Sequence, residues 1–250
     1  MANCAMSNTT IVLFTDLDDT LFQLQRHRSA GIYPATHTPT QQHISYQTVS
    51  QQLLFELFYQ QNHVTIIPVT ARSLRQYHNT FLSHLPRINI AVLYFGGLIW
   101  EENQPNPDWQ HHVYHSFQQL SQSIQQLSSE IKQFLHVHQL KFTLNNTDGY
   151  YLTVRADAKT PASDQAALFQ EMIGLSSGEY IHHYQRRNLV LLPKFIDKRY
   201  AVKFLLEKQG ANLHLAMGDS LNDLSFMQLC DVRLIPKNTQ IDTLLFNSNL

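Results

Sequence analysis

Cysteine, positive charge and long apolar runs are all scarce in this 250-residue sequence. The two cysteines, Cys4 and Cys230, lie far apart in the chain, which argues against a dense disulfide framework and fits a reducing compartment. Lysine and arginine are balanced by acidic residues to a net charge of −1, so no basic surface for nucleic acid is indicated. No apolar run approaches the ~20 residues of a membrane-spanning helix.

The amino terminus also lacks the features of a secretory signal. Residues 1–10 read MANCAMSNTT, which contains neither a basic segment nor an apolar core. We therefore expect a cytoplasmic protein with no membrane or nucleic-acid partner, and the sequence carries no signal for an oligomeric state. With 43% hydrophobic residues, the chain can fold around one core or around a core and a smaller second domain.

The most informative segment is IVLFTDLDDTLF at residues 11–22. Its apolar, β-branched start is typical of a buried parallel strand, and Asp16 stands where that strand ends. Because open α/β sheets bind ligands at the carboxyl ends of their strands, Asp16 and Asp18 are predicted to face a ligand site. Carboxylates this close together need a cation or a shared proton. The alternative is that both are solvated residues of a turn.

A second apolar run, VTIIPVTAR at residues 64–72, ends in a hydroxyl and a guanidinium group. The hydroxyl belongs to Thr70. The guanidinium group belongs to Arg72. Further along the chain, Lys198 stands at the start of a helical pattern and provides a point positive charge.

A third apolar run, LHLAMGDSLND at residues 213–223, ends in more oxygen ligands. Asp219 and Asp223 follow its strand-like part, and Asn222 stands between them as a residue that could orient the lysine or this loop. Each apolar run alone is explained by an ordinary sheet core. A sheet core does not explain why every one of them ends in such side chains.

Taken in this order, the motifs resemble those of the haloacid dehalogenase superfamily of phosphotransferases. DLDDT at residues 16–20 is similar to its first motif, DxDxT, and GDSLND at 218–223 is similar to its fourth. Thr70 and Lys198 resemble the key residues of the second and third. The resemblance spans about residues 10–235 and is closest to the Cof-type and sucrose-phosphatase-like branch, which carries a cap domain between the second and third motifs.

The resemblance and the strand pattern imply an α/β fold, a Rossmann-like parallel-sheet core with an inserted smaller α+β cap domain. The core is predicted to comprise residues 1–101 and 188–250, and the cap residues 102–187. Inside and beside the cap, the pattern predicts a long helix over 116–138 and a hairpin over 179–193.

The same resemblance implies a magnesium-dependent phosphatase that hydrolyses a small phosphorylated metabolite, such as a sugar phosphate, through an aspartyl-phosphate. Asp16 would be the nucleophile and Asp18 the general acid and base. Thr70 and Lys198 would hold the phosphate oxygens that are not transferred. Two alternatives remain, a phosphomutase of the same superfamily and a non-catalytic binding or regulatory protein on this fold.

For the cofactor, the resemblance implies Mg²⁺ held by Asp16, Asp18, Asp219 and Asp223. Asp18 would contribute its backbone carbonyl, and Asp223 would contact the ion directly or through water. Around residue 95 the branch usually reads Asn-Gly-Ala, whereas this chain reads Phe-Gly-Gly. Five further residues are predicted to contact substrate: Arg72, Gly97, Asn222, Arg155 and Arg187. For Arg72 the sequence leaves two alternatives open, contact with a substrate phosphate and capping of the helix that follows.

Overall fold

The chain divides into two compact units, Met1–Trp109 with Asp197–Leu250, and Gln110–Ile196. The computed structural model describes residues 10–24, 33–37, 45–185, 187–208 and 210–246. No helix in these ranges is both long enough and apolar enough to cross a bilayer. Cys230 is a buried free thiol, and Cys4 lies outside the described residues.

The first unit contains most of the strands and helices. Its strands are β1 (Ile11–Thr15), β2 (Gln23–Leu24), β3 (Tyr33–Pro34), β4 (Ser45–Gln47), β5 (Val64–Pro68), β6 (Ile90–Leu93), β7 (Leu98–Glu101), β8 (Gln104–Pro105), β13 (Leu213–Met217) and β14 (Val232–Leu234). Its helices are α1 (Val49–Tyr59), α2 (Leu74–His78), the start of α3 (Pro107–Gln118), α6 (Lys198–Lys208), α7 (Leu224–Met227) and α8 (Gln240–Phe246), with short 3₁₀ turns at Phe81–His84 and Tyr94–Gly96.

A parallel sheet with the strand order β14-β13-β1-β5 forms the centre of this unit. Strand β1 is buried along almost its whole length, and Phe14 is fully inaccessible to solvent. Such continuous burial is expected of a parallel strand covered on both faces. Helix α1 packs on β5, and α7 packs on β13. The predicted α/β core with a parallel sheet is confirmed.

The other strands of the first unit form two small antiparallel sheets, with the orders β2-β4-β3 and β6-β7-β8. A single parallel bridge between Val69 and Val92 joins β6 to the residue that follows β5. The amide of Thr70 donates to the carbonyl of Val92 at 2.8 Å, which holds the end of β5 beside β6.

The second unit is an antiparallel sheet with helices packed on one face. Its strands are β9 (Thr143–Thr147), β10 (Tyr151–Arg155), β11 (Tyr180–Gln185) and β12 (Asn188–Pro193), in the order β11-β12-β10-β9, and its helices are the remainder of α3, α4 (Ile124–Val137) and α5 (Ala162–Gly174). Helix α4 buries Ile124, Leu127, Ile131 and Leu135, a spacing of three and four that places them on one face. These residues share a hydrophobic cluster with Leu152 and other apolar sheet residues.

The limits of the second unit differ from the segment 102–187 expected from the sequence. Strand β12 pairs with β10 and β11, so residues 188–193 belong to the second sheet and not to the core. The two strands of one hairpin cannot belong to different sheets, and the expected boundary divided the hairpin at its turn. At the other end, the segment that resembled a linker instead contains β8 and the start of α3.

The single long helix expected over residues 116–138 is two helices, α3 and α4. Ser123 ends the break between them, because its side chain accepts a hydrogen bond from the amide of Gln126 and the Gln126 side chain accepts one from the amide of Ser123. This reciprocal pair is a capping box, which starts a new helix. The sequence pattern failed here because the apolar spacing continues across the break.

Candidate active site

Three parallel strands of the first unit end at the same level. Thr15 of β1 stands in register with Pro68 of β5 on one side and with Met217 of β13 on the other. The residues that follow these three positions therefore leave the sheet at one edge, which is the usual ligand edge of an open α/β sheet. Asp16 is the first of them, and its amide donates to the carbonyl of Met217 at 2.8 Å.

A buried lysine joins two carboxylates at this edge. Lys198 donates from Nζ to Oδ1 of Asp16 at 2.6 Å and to Oδ1 of Asp223 at 2.7 Å. The side chains are only 6% exposed for Lys198, 9% for Asp16 and 0% for Asp223. We call these three residues the buried triad. It brings together Asp16 from the end of β1, Asp223 from the loop between β13 and α7, and Lys198 from the first turn of α6.

The loop after β13 folds back so that the carboxylate of Asp223 contacts the backbone of the same loop. The second oxygen of Asp223, Oδ2, accepts from the amides of Asp219 and Ser220 at 3.2 and 3.0 Å and from the Ser220 hydroxyl at 2.7 Å. A Cβ on Gly218 would lie 2.5 Å from the Cβ of Asp223, so only glycine fits at this position. Both oxygens of Asp223 are therefore occupied by groups of the chain itself.

Asp219 completes a group of three carboxylates with Asp16 and Asp223. Each offers a ligand oxygen, and these oxygens lie within 4.8 Å of one another. In contrast with Asp223, the Oδ2 atom of Asp16 accepts no hydrogen bond from the residues that the structure describes. Within the described part of the chain, the carboxylate of Asp219 accepts only one, at Oδ1, from the hydroxyl of Thr20 at 3.4 Å. Open carboxylate oxygens at this spacing are the ligands that a hard divalent cation prefers.

The negative charge of this group is not fully compensated by the lysine. Burial raises the pKa of Asp16 well above its usual range, and the neighbouring carboxylates raise it further against the opposing effect of Lys198. Burial, together with the charges of Asp223 and Asp19, raises the pKa of Asp219 to about 7. Crowded carboxylates whose pKa values are raised in this way would be stabilised in their ionised form by additional positive charge.

The pKa values of Lys198 and Asp223, unlike those of Asp16 and Asp219, are shifted so that the charged form of each group is favoured. Burial alone would lower the pKa of Lys198, but the two carboxylates outweigh it and hold that pKa above its usual range. Burial alone would raise the pKa of Asp223, but Lys198 and the donors of Ser220 hold it below its usual range. This lysine and this aspartate thus form a permanent ion pair.

The side chain of Asp18 does not join the three carboxylates but pairs with Arg72. The guanidinium donates from Nε to Oδ2 at 2.8 Å and from Nη2 to Oδ1 at 2.7 Å. The sequence had left open whether Arg72 contacts a phosphate or caps a helix. In the structure Ser73 caps α2, and Arg72 holds the second carboxylate of the first motif.

Thr70 is buried beside this pair at the end of β5. Its hydroxyl accepts a hydrogen bond from the amide of Arg72 at 3.2 Å, and its carbonyl accepts from the amide of Phe95 at 3.1 Å. The hydroxyl proton of Thr70 stays available for another acceptor. Position and chemistry are consistent with the predicted contact to a phosphate oxygen.

Gly96 is a positioning residue that the sequence did not single out. Tyr94, Phe95 and Gly96 form a left-handed turn after β6, with φ angles of +51°, +57° and +101°. A Cβ on Gly96 would lie 2.5 Å from the carbonyl oxygen of Asp197 and 3.1 Å from the amide nitrogen of Lys198. The turn therefore presses directly on the start of α6. The only sequence signal was the Phe-Gly-Gly that replaces the usual Asn-Gly-Ala.

The other predicted substrate residues are spread over both units. Gly97 is buried beside Gly96, with its amide bonded to the carbonyl of Tyr94. The Asn222 carbonyl accepts from Ser225, and its side chain has no hydrogen-bond partner among the described residues, so it does not orient Lys198 here. Arg155 is the exposed last residue of β10, and Arg187 lies in the turn between β11 and β12, both in the second unit.

The family of the chain follows from a match over nearly all of it. The model of the family described as sucrose-6F-phosphate phosphohydrolase matches residues 9–240. The chain belongs to this family. It is therefore a phosphatase of the haloacid dehalogenase superfamily, a phosphoric monoester hydrolase of the sugar-phosphate type. No curated protein sequence matches the chain.

Solved structures share the fold of this sucrose-6F-phosphate phosphohydrolase family member at low identity. The sucrose-phosphatase of Synechocystis sp. PCC6803, solved in complex with sucrose and phosphate, has a TM-score of 0.59 and 15% identity, with 96% of this chain and 88% of that chain covered. The sugar phosphatase BT4131 of HAD subclass IIB has a TM-score of 0.56 and 12% identity, with coverage of 91% and 94%.

The C-terminal domain of the trehalose-6-phosphate phosphatase from C. albicans has a TM-score of 0.54 and 13% identity, with coverage of 88% and 73%. At these identities the structures show a shared fold, and the predicted roles of individual residues remain predictions.

Proposed function

We propose that this protein is a magnesium-dependent phosphatase that hydrolyses a sugar phosphate through a phosphorylated Asp16. The observation that carries the proposal is the buried triad beside Asp219, where one lysine neutralises only part of the charge of three carboxylates. This reaction requires a nucleophilic carboxylate and positive charge around the phosphoryl group, and the negative charge left over at this site is what a divalent cation would neutralise.

The donor set at this site fits Mg²⁺. Asp16 and Asp219 each offer an open carboxylate oxygen, and the backbone carbonyl of Asp18 is a third ligand by resemblance to the family. We assign Asp223 an indirect role, because both of its oxygens are already occupied by the chain. When bound, the ion supplies positive charge that neutralises negative charge developing on the phosphoryl group.

In the first step, an oxygen of Asp16 attacks phosphorus and forms the new O–P bond, while the bond from phosphorus to the sugar oxygen breaks. The electron pair of the broken bond stays on the sugar oxygen. Asp18 gives that oxygen a proton, so the sugar leaves as a neutral alcohol. The carboxylate of Asp16 is thereby converted into an acyl phosphate.

In the second step, Asp18 acts as a base. Its carboxylate takes a proton from a water molecule whose oxygen bonds to phosphorus, and the bond between phosphorus and Asp16 breaks. Inorganic phosphate leaves, Asp16 is again a carboxylate, and Asp18 again holds the proton for the next cycle. Proton and electron balance therefore close over one turnover.

Lys198 and Thr70 bind rather than react. Lys198 places its charge beside Asp16 at 2.6 Å, where a phosphoryl group attached to Asp16 would lie within its reach. Thr70 offers its hydroxyl proton from the neighbouring strand end. Because both groups are buried and held by the chain, they need little reorganisation as charge develops, which is the source of electrostatic stabilisation in enzymes.

We further propose that the second unit is a cap that selects the sugar. It carries two cations for a polar substrate, Arg155 at the end of β10 and Arg187 in the turn between β11 and β12. Replacement of either residue by glutamine should raise KM and change the ranking of sugar phosphates, with little effect on hydrolysis of the small ester p-nitrophenyl phosphate. An unchanged ranking in both variants would exclude this role.

The test of the function is a phosphate-release assay over a panel with and without Mg²⁺. The panel contains sucrose 6F-phosphate, trehalose 6-phosphate, glucose 6-phosphate, fructose 6-phosphate and p-nitrophenyl phosphate. We expect release of phosphate that is abolished by excess chelator and restored by added Mg²⁺. Transfer of phosphate to another position of the sugar would instead indicate a mutase, and full activity in chelator would exclude the metal.

A further inference from the structure

The guanidinium group of Arg72 forms a bidentate pair with the carboxylate of Asp18. Its Nε and Nη2 atoms each donate to a different oxygen of the same carboxylate, at 2.8 and 2.7 Å. Planar bidentate pairing fixes both the position and the orientation of a carboxyl group, which a lysine in the same place does not do. The orientation of Asp18 in this structure is therefore set by Arg72.

Both the backbone and the guanidinium group of Arg72 are held by contacts with other residues. Its amide donates to the Thr70 hydroxyl at 3.2 Å, and its carbonyl accepts from the amide of Tyr94 at 3.0 Å. The guanidinium carbon lies 4.9 Å from the centre of the Phe22 ring, and Nη2 also lies 3.4 Å from the Ser45 hydroxyl. A cation held over an aromatic face and joined to two strand ends has little freedom to move.

Asp18 is the less constrained partner. Its side chain is 45% exposed, against 10% for Arg72. The next residue, Asp19, has a φ of +60°, and its amide donates to the carbonyl of Phe22, so the chain turns sharply just after Asp18. A solvent-exposed carboxyl at a tight turn has several side-chain orientations available to it. The fixed arginine selects one of them.

We propose that Arg72 positions Asp18 for its proton transfers, an inference that rests on the proposed function of Asp18 as acid and base. In the first step, one of the two hydrogen bonds from Arg72 opens, and the Asp18 oxygen that it releases carries the proton and faces the leaving sugar oxygen. The other oxygen keeps its hydrogen bond to Arg72, which holds the carboxyl group in place. The proton moves from Asp18 to that oxygen as the P–O bond breaks. Arg72 neither gives nor takes a proton, so it is a positioning residue and not a catalytic one.

The rival role for Arg72 is direct binding of the substrate phosphate, and the leaving group separates the two. A sugar leaves as an alkoxide and needs a proton, whereas p-nitrophenol leaves readily as a stable anion and does not. The value of kcat/KM reports steps up to departure of the leaving group. A positioning residue for the acid therefore affects kcat/KM for the sugar phosphate selectively, while a phosphate ligand affects both esters equally.

The experiment measures kcat/KM of the wild type and of Arg72→Gln, Arg72→Lys and Asp18→Asn on p-nitrophenyl phosphate and on the best sugar phosphate of the panel. Arg75→Gln is the matched control, because Arg75 is exposed on α2 only three positions away. General acids contribute about 10²–10⁴-fold. We expect Arg72→Gln to lower kcat/KM on the sugar phosphate by on the order of 10²-fold and on p-nitrophenyl phosphate by less than about threefold.

Asp18→Asn should show the same selectivity with a larger loss of kcat/KM on the sugar phosphate. Arg72→Lys keeps the positive charge but cannot form the bidentate pair, so its kcat/KM should lie between those of the wild type and Arg72→Gln. Thermal unfolding of each variant checks folding, and Arg72→Lys serves as the test if Arg72→Gln does not fold. Equal losses of kcat/KM on both esters in the folded Arg72 variant, or none, would overturn the proposal. A wild type that hydrolyses no phosphate ester would instead refute the proposed function, and a non-selective Asp18→Asn would refute the role of Asp18.

Discussion

Two groups of charged side chains stand at the ligand edge of the central sheet, and they differ in their access to water. The buried triad is at most 9% exposed at any of its side chains. In the pair of Arg72 and Asp18, the carboxylate is 45% exposed. Charges inside a protein keep one arrangement because breaking a buried pair leaves an uncompensated charge, whereas an exposed carboxylate exchanges partners readily. The triad is suited to binding and attack, and the exposed pair to carrying protons.

A second contrast lies inside the triad. Asp16 and Asp223 accept hydrogen bonds from the same Nζ atom of Lys198, yet the pKa of Asp16 lies above its usual range and that of Asp223 below. Burial opposes ionisation of both, but the charges of Asp223, Asp219 and Asp18 raise the pKa of Asp16 further. At Asp223, Lys198 and then the hydrogen bonds from Ser220 outweigh the effect of burial. One carboxylate is thus the permanent counter-ion of the lysine, and the other remains available for chemistry.

The largest effect is expected from Asp16→Asn, which removes the nucleophile and keeps the shape of the side chain. Turnover of the sugar phosphate should fall by roughly five to six orders of magnitude, as with the loss of other covalent nucleophiles. The measurement is phosphate release at saturating Mg²⁺, with Asp108→Asn as the control, because Asp108 forms an exposed pair with Lys208. Near-normal turnover by a folded Asp16→Asn protein would contradict the mechanism.

Lys198→Met should break the triad itself. The variant leaves two buried carboxylates without their cation, so we expect kcat to fall by on the order of 10³-fold and the free energy of unfolding by about 3–5 kcal/mol. Lys203→Met on the same helix is the control, because its side chain is 64% exposed. Kinetics and chemical denaturation together check the prediction, and a variant as active as its control would show that the lysine only fills space.

Gly96→Ala should displace the buried triad, although Gly96 is not one of its residues. The new methyl group meets the carbonyl of Asp197, and alanine disfavours the φ of +101°, so the start of α6 and Lys198 must shift. We expect about 2 kcal/mol less stability and a kcat lower by on the order of tenfold or more. Gly210→Ala, just beyond the other end of α6, meets no atom within 4 Å and should change neither quantity.

The smallest of these effects concerns the metal and pH. Mg²⁺ competes with protons for its carboxylate ligands, and the pKa of Asp219 is raised to about 7. Above that pH most of the Asp219 carboxylate is ionised and can bind Mg²⁺. Each unit by which the pH falls below it leaves a larger fraction of Asp219 protonated and unable to bind the ion. The Mg²⁺ concentration for half-maximal activity should therefore rise about tenfold between pH 8 and pH 6. A requirement that is flat over this range would contradict the assignment of Asp219.

The sequence predicted those parts of the site that follow from strand ends. Asp16, Thr70 and Asp219 each come directly after an apolar run, and parallel strands in register bring their carboxyl ends to one edge. The family resemblance added Lys198, which lies far from all three in the chain. In the structure it binds Asp16 and Asp223, although no periodicity of the sequence relates the start of a helix to the end of a strand.

The pairing of Arg72 with Asp18 and the turn at Gly96 were not predictable in the same way. The first depends on side-chain orientation and on Phe22 and Ser45, which come from separate segments. The second depends on three consecutive positive φ angles, two of them at residues other than glycine. Such contacts are set by tertiary packing and leave no regular pattern in a single sequence.

The most direct test of the central claim is to trap phosphate on Asp16. The Asp18→Asn variant is mixed with Mg²⁺ and with p-nitrophenyl phosphate that carries a label on its phosphoryl group. The reaction is quenched in acid, and the protein is then digested into peptides. Because this ester needs no general acid and the second step lacks its base, we predict a stoichiometric burst of p-nitrophenol and one label on the peptide that contains Asp16. An active wild type whose Asp18→Asn variant gives no burst, or a label on any other residue, would contradict the account.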